Sequence, residues 1–163
     1  VSHTSRVRVA VVALAAAVSL TACSGVSPLT ALKPYAASDG LQVTAGDVRG
    51  LNFILLTRGA GEPATLTGTL DNTGTSAATA TLAIGDATET FGVPAGSSVR
   101  LGFADGDIAV VASAAPAAPG LIATVVLTVG GTSTSVPVPV LDGTLPEYGE
   151  VLDDLDAYRA ERP

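Results

Sequence analysis

Few side chains in this sequence can do chemistry. Cys23 is the one cysteine and His3 the one histidine, and methionine and tryptophan are absent from all 163 residues. A thiol can be acylated, oxidised to a disulfide or bound to a soft metal. Cys23 has no second cysteine in the chain to pair with, so its neighbours must narrow the choice. It follows Leu20-Thr21-Ala22; upstream lie a basic start, Arg6 and Arg8, and an uncharged apolar run from Val9 to Leu20. A basic region, a short apolar stretch and small residues before a cleavage point are the three parts of an export signal. From Val9 to Cys23 the uncharged stretch is fifteen residues, interrupted by Ser19 and Thr21. A spanning helix needs about 20 apolar residues, so a permanent transmembrane segment is the poorer reading.

Leu20-Thr21-Ala22-Cys23 resembles the lipobox of bacterial lipoproteins, Leu-x-Ala-Cys. The resemblance implies that residues 1–22 are a signal peptide that is removed. Cys23 then becomes the lipidated first residue, bearing a diacylglyceryl thioether and often an N-acyl chain of the palmitate kind. Stable anchoring takes more than one acyl chain, and this modification would supply them. The first partner expected is therefore the membrane, through the lipid on Cys23. The expected location is the extracytoplasmic face of the cell membrane.

Removing the signal changes the charge. Of eight Lys and Arg, loss of Arg6 and Arg8 leaves six against fifteen acids, a net charge near −9 with no histidine. A nucleic-acid partner is excluded, because it would need a basic patch to displace counterions. The same count excludes a Ser-His-Asp triad and a histidine base. Zinc and copper lack their usual nitrogen and sulfur ligands, and no cofactor is expected. There is no P-loop and no GxSxG elbow; Gly96-Ser97-Ser98 reads as a turn before a strand. The one lysine, Lys33, falls in the tether described below. Carboxylates remain. Asp105-Gly106-Asp107 offers oxygens to a hard cation, but two acids around a glycine also make an ordinary turn, the preferred reading. Asp39-Gly40 and Asp142-Gly143 read as turns too, and nothing fixes Asp153 and Asp154 as a glycosidase pair.

The elements that would position these groups are mostly strands. Residues 23–38 read as a lipidated flexible tether with Pro28 and Pro34, able to reach roughly 50 Å at about 3.3 Å per residue. From Leu41 the apolar period is two. Val43 and Ala45, Ala64 to Leu70, Ala78 to Ile84, Val99 to Phe103, Ala123 to Val129 and Thr134 to Val140 all alternate with polar or small residues. Leu51 to Leu56 is a run suited to a strand buried on both faces, and Ile108 to Val111 suits a short strand. Asp71-Asn72-Thr73-Gly74, Gly85-Asp86 and Gly130-Gly131 are turn signals. Pro137 and Pro139 remove two donors from one side of the last strand, which predicts a sheet edge paired through Val136, Val138 and Val140. The fold expected over 39–145 is all-β, an Ig-like or cupredoxin-like sandwich of about seven or eight strands. Residues 146–163 form an acidic tail or short helix: Tyr148, Val151, Leu152, Leu155 and Tyr158 have helical spacing, and a solvated tail is the default.

Pro34 to Gly40, Gly46 to Asn52, Gly68-Thr69-Leu70-Asp71-Asn72 and Val136 to Val140 resemble segments of small actinobacterial envelope lipoproteins. The Ala- and Gly-rich composition is similar to that of high-GC actinobacteria. Those lipoproteins are distantly similar to periplasmic copper chaperones of the PCu(A)C type. The resemblance implies a β-sandwich. It carries over no copper site, because the chaperones bind copper through Met and His, and this chain has neither after residue 22. The expected function is a non-catalytic, membrane-anchored interaction or structural module whose further partner is an envelope protein or glycan. A copper-handling lipoprotein and a carboxylate-dependent, glycan-acting enzyme are the alternatives.

Overall fold

The computed structural model describes residues 39–162. The signal, the tether and the lipobox residues Leu20, Thr21, Ala22 and Cys23 lie outside them. Nine strands follow in chain order: β1 (Leu41–Ala45), β2 (Val48–Thr57), β3 (Ala64–Asn72), β4 (Ala78–Ile84), β5 (Ala87–Val93), β6 (Ser98–Leu101), β7 (Val111–Ala112), β8 (Ile122–Val129) and β9 (Thr132–Leu141). One helix, α1 (Pro146–Ala160), closes the domain. The all-β reading with a short C-terminal helix holds. No helix among the described residues is long and apolar enough to cross a membrane.

The strands form one hydrogen-bonded sheet in the order β5-β4-β8-β9-β2-β3-β6, with β1 on β2 and β7 on β3. It curls so that β5-β4-β8-β9 and the strands around β2 and β3 bury one apolar core between them. Alternation does this: Ala80, Leu82 and Ile84 of β4 and Ala123, Val125, Leu127 and Val129 of β8 point inward, meeting Leu66 and Leu70 of β3.

β9 departs from the expected edge position. It pairs with β8 from Thr132 to Pro139, and then with β2 through Leu55↔Val140 and Leu56↔Leu141. The prolines explain where the second pairing starts. The Val140 N–H donates to Leu121 O at 2.9 Å, on the β8 side. By alternation, Pro137 and Pro139 face the other side, where they have no donor to offer. Leu141 is the first residue after them with an N–H on that side, and the pairing with β2 takes in Val140 and Leu141.

The tail is a docked helix, not the solvated chain taken as default. Pro146 occupies its first turn with Glu147, and Arg159 lies in its last, as the helix dipole favours. Leu152 and Leu155 are fully buried against Ile54 and Leu56, with Tyr148 and Val151 beside them. This accounts for the two-sided burial of β2: Phe53 and Leu55 enter the sandwich core, while Ile54 and Leu56 need a cover on the opposite face. Burying each leucine contributes about 1.5–3 kcal/mol, enough to hold a marginal helix in place. Arg58 clasps the same helix, 2.6 Å from Asp153 and 3.0 Å from Asp156. Tyr148 Oη donates to Asp39 at 2.7 Å, tying the first described residue to the first turn of α1.

Candidate functional site

A bulge in β2 shapes one of the surface clefts. Leu51 pairs with Thr69 and Ile54 with Thr67, so Asn52 and Phe53 together oppose Gly68. Asn52 takes φ 54°, a left-handed conformation that asparagine tolerates better than most residues. Its Oδ1 accepts the Gly40 N–H at 2.9 Å, which fixes the bend. Phe53 drops into the core over Gly68; a Cβ there would lie 2.6 Å from the ring and 2.9 Å from Leu51 O. The extra residue also turns Ile54 toward α1.

The bulge forms one wall of a 340 Å³ cleft, with Asn52, Thr67 and Thr69 along it. Arg100 of β6, Phe103 and Asp107 from the segment after it, and Val151 and Asp154 from α1 form the rest. Asp105-Gly106-Asp107 is a turn, as the sequence suggests: Gly106 has φ 84°, and the Asp107 N–H donates to Ala104 O at 3.0 Å. The turn separates its two acids. Asp105 is exposed, while the Asp107 side chain is 8% exposed and lies 3.4 Å from the Arg100 guanidinium. Gly102 makes this inward position possible, since a Cβ there would approach Asp107 Oδ2 to 2.9 Å. Asp154 shares the cleft, whereas its neighbour Asp153 is held by Arg58 outside it. The two aspartates therefore form no facing pair with each other. Among the described residues no three His, Cys, Asp or Glu side chains gather as a metal-binding group.

Other polar groups are committed to structure. Asn72, expected in a turn, is buried at the end of β3. It donates to Ser76 O at 2.9 Å and Val93 O at 3.0 Å, and accepts the Gly74 N–H at 2.9 Å. The Thr57 hydroxyl, also buried, lies 2.9 Å from both Gly59 O and Pro63 O and donates its one proton within the 59–63 turn. Arg49 and Ser98 hold the Asp71 carboxyl below the usual carboxylate range. Ser113 does the same for Asp86, and the Thr144 hydroxyl and N–H do so for Asp142. Burial first, and the bond to Asp39 second, push the Tyr148 hydroxyl up to about 12.

The sequence did not single out Asn52, Arg100 or Asp107 as parts of one cleft. Its one usable signal was Asn52, a polar residue interrupting an apolar run.

Fold and site together define a β-sandwich with one helix-capped face and a polar cleft beside a strand bulge. No protein-family model matches the chain, and no curated protein matches it. Among solved structures it is similar to the copper-bound PCuAC domain from PmoF2, at 17% identity and a TM-score of 0.49, covering 63% of this chain and 98% of that one. It is also similar to the apo PCuAC domain from PmoF1, at 11% identity and a TM-score of 0.49, covering 61% and 98%. These are domains of the kind that the sequence motifs resemble. Their copper is a property of those domains.

Proposed function

We propose that this chain is a membrane-anchored, non-catalytic envelope lipoprotein whose β-sandwich is an interaction module. Leu20-Thr21-Ala22-Cys23 supports the anchor. The observation that carries the non-catalytic reading is the set of side chains after residue 22: no histidine to act as a base, no cysteine besides Cys23, and no P-loop or GxSxG elbow. Replacing Cys23 with alanine and fractionating cells tests the anchor. The variant should leave the membrane fraction and accumulate unprocessed; membrane retention with normal processing overturns the reading.

The glycan-acting alternative draws on one feature, the shared cleft of Asp107 and Asp154. Asp107 is engaged there by Arg100, which suits a binding wall better than an acid catalyst. Release of reducing ends from envelope polysaccharide, lost in Asp107→Asn and Asp154→Asn, would establish that alternative instead. Copper handling stands behind both. With methionine absent and the one histidine and one cysteine at positions 3 and 23, the domain offers mainly hard oxygen ligands, which suit Cu(I) poorly.

A further inference from the structure

The strand order ends at β5 on one side and at β6 on the other, and β9, with Pro137 and Pro139, lies inside it. β5 ends the strand order, and nothing in it guards its outer edge. It pairs with β4 in an unbroken register from Ala78↔Val93 to Ile84↔Ala87, without a bulge. It contains no proline or lysine, and Glu89 is its one charge. Such an edge presents unpaired backbone N–H and C=O groups and invites strand addition unless it is blocked.

The charges beside that edge point to an occupant. Of the five described arginines, Arg49, Arg58 and Arg100 each have a carboxylate partner. Arg159 and Arg162, in and just after the last turn of α1, have none within the same reach among the described residues. Both line a 290 Å³ cleft shared with Ala87 and Glu89 of β5 and with Tyr158. The Arg162 guanidinium is 4.0 Å from the Tyr158 ring centroid, and Tyr158 packs against Phe103 at 5.3 Å, so the cation is held in place. Asp86 is also at this cleft, but Ser113 occupies both its oxygens. In a chain this acidic, two cations without carboxylate partners beside an open strand edge call for a negatively charged ligand with an extended backbone.

We propose that β5 and the Arg159–Arg162 cleft dock an extended, acidic segment of a partner protein by strand addition. Backbone bonds to β5 would supply affinity, and the arginines would select carboxylate side chains. This rests on the interaction role proposed above. The test is a titration of the isotope-labelled full chain with a capped hexapeptide of alternating valine and glutamate, followed by amide NMR. Shifts should be confined to β5 and the last turn of α1. The Arg159→Ala/Arg162→Ala double variant should bind at least tenfold more weakly, and Glu89→Gln more tightly; both changes are on exposed residues. Equal binding of a valine–lysine hexapeptide overturns the proposal, as do shifts located elsewhere or the same shifts with free glutamate. The titration reads the edge and not the anchor, so it can fail while lipidation of Cys23 stands, and the reverse.

Discussion

Leu152→Ala asks whether α1 is part of the fold. Leu152 is fully buried in a small cluster with Ile54, Leu56 and Leu155. The change removes three buried carbons at about 0.8 kcal/mol each, or about 2.4 kcal/mol of transfer free energy. The residual cavity raises the cost to about 3 kcal/mol, near the low end for buried leucines because half-buried neighbours such as Val151 and Tyr148 can close in. Urea unfolding of the variant should show a midpoint lower by about 1.5 M if the slope is about 2 kcal/mol per molar. Arg58→Ala removes only exposed ion pairs to Asp153 and Asp156, so its shift should be far smaller. A Leu152→Ala shift no larger than that of Arg58→Ala would refute the docking of α1, and with it the explanation for two-sided burial in β2.

Asn72→Ala should cost about 2 kcal/mol in the same assay, because Ser76 O and Val93 O lose a buried donor. Gly68→Ala should cost more than about 1 kcal/mol, since φ 142° disfavours a side chain and its Cβ would meet the Phe53 ring. The Tyr148 hydroxyl has a raised folded pKa, so its stabilisation is present below pH 10 and lost as pH rises toward about 12; Tyr148→Phe should abolish that alkaline loss in a pH series of melts. Asp71 is shifted the other way, so its contribution is present above the unfolded value of about 3.9 and lost as pH falls through the lower folded value; Asp71→Asn should flatten that acid limb. Cu(I) titration of the domain should show no stoichiometric sub-micromolar binding, and such binding would restore the copper reading.

The period-two stripes made most strands legible, because each buries one face and exposes the other. β5 was missed for the same physical reason: it lies at an edge, and its central Thr88, Glu89 and Thr90 are all exposed, so it has no apolar stripe to read. The Pro137 and Pro139 argument named the pairing side that β9 offers to β8 but not the second pairing, with β2 at Val140 and Leu141, which depends on where β2 runs. The tail showed helical spacing, yet its docking depended on the uncovered face of Ile54 and Leu56, a tertiary fact. The cleft was illegible because Asn52, Asp107 and Asp154 are far apart in sequence and are brought together by a bulge, a turn and a helix.

The most direct measurement of the central claim is intact-mass analysis of the protein extracted from its native membrane. The account predicts that residues 1–22 are absent and that the mass of a diacylglyceryl group, with or without an N-acyl chain, resides on Cys23. A membrane-extracted protein that retains those residues, or one beginning at Cys23 with an unmodified thiol, would contradict it.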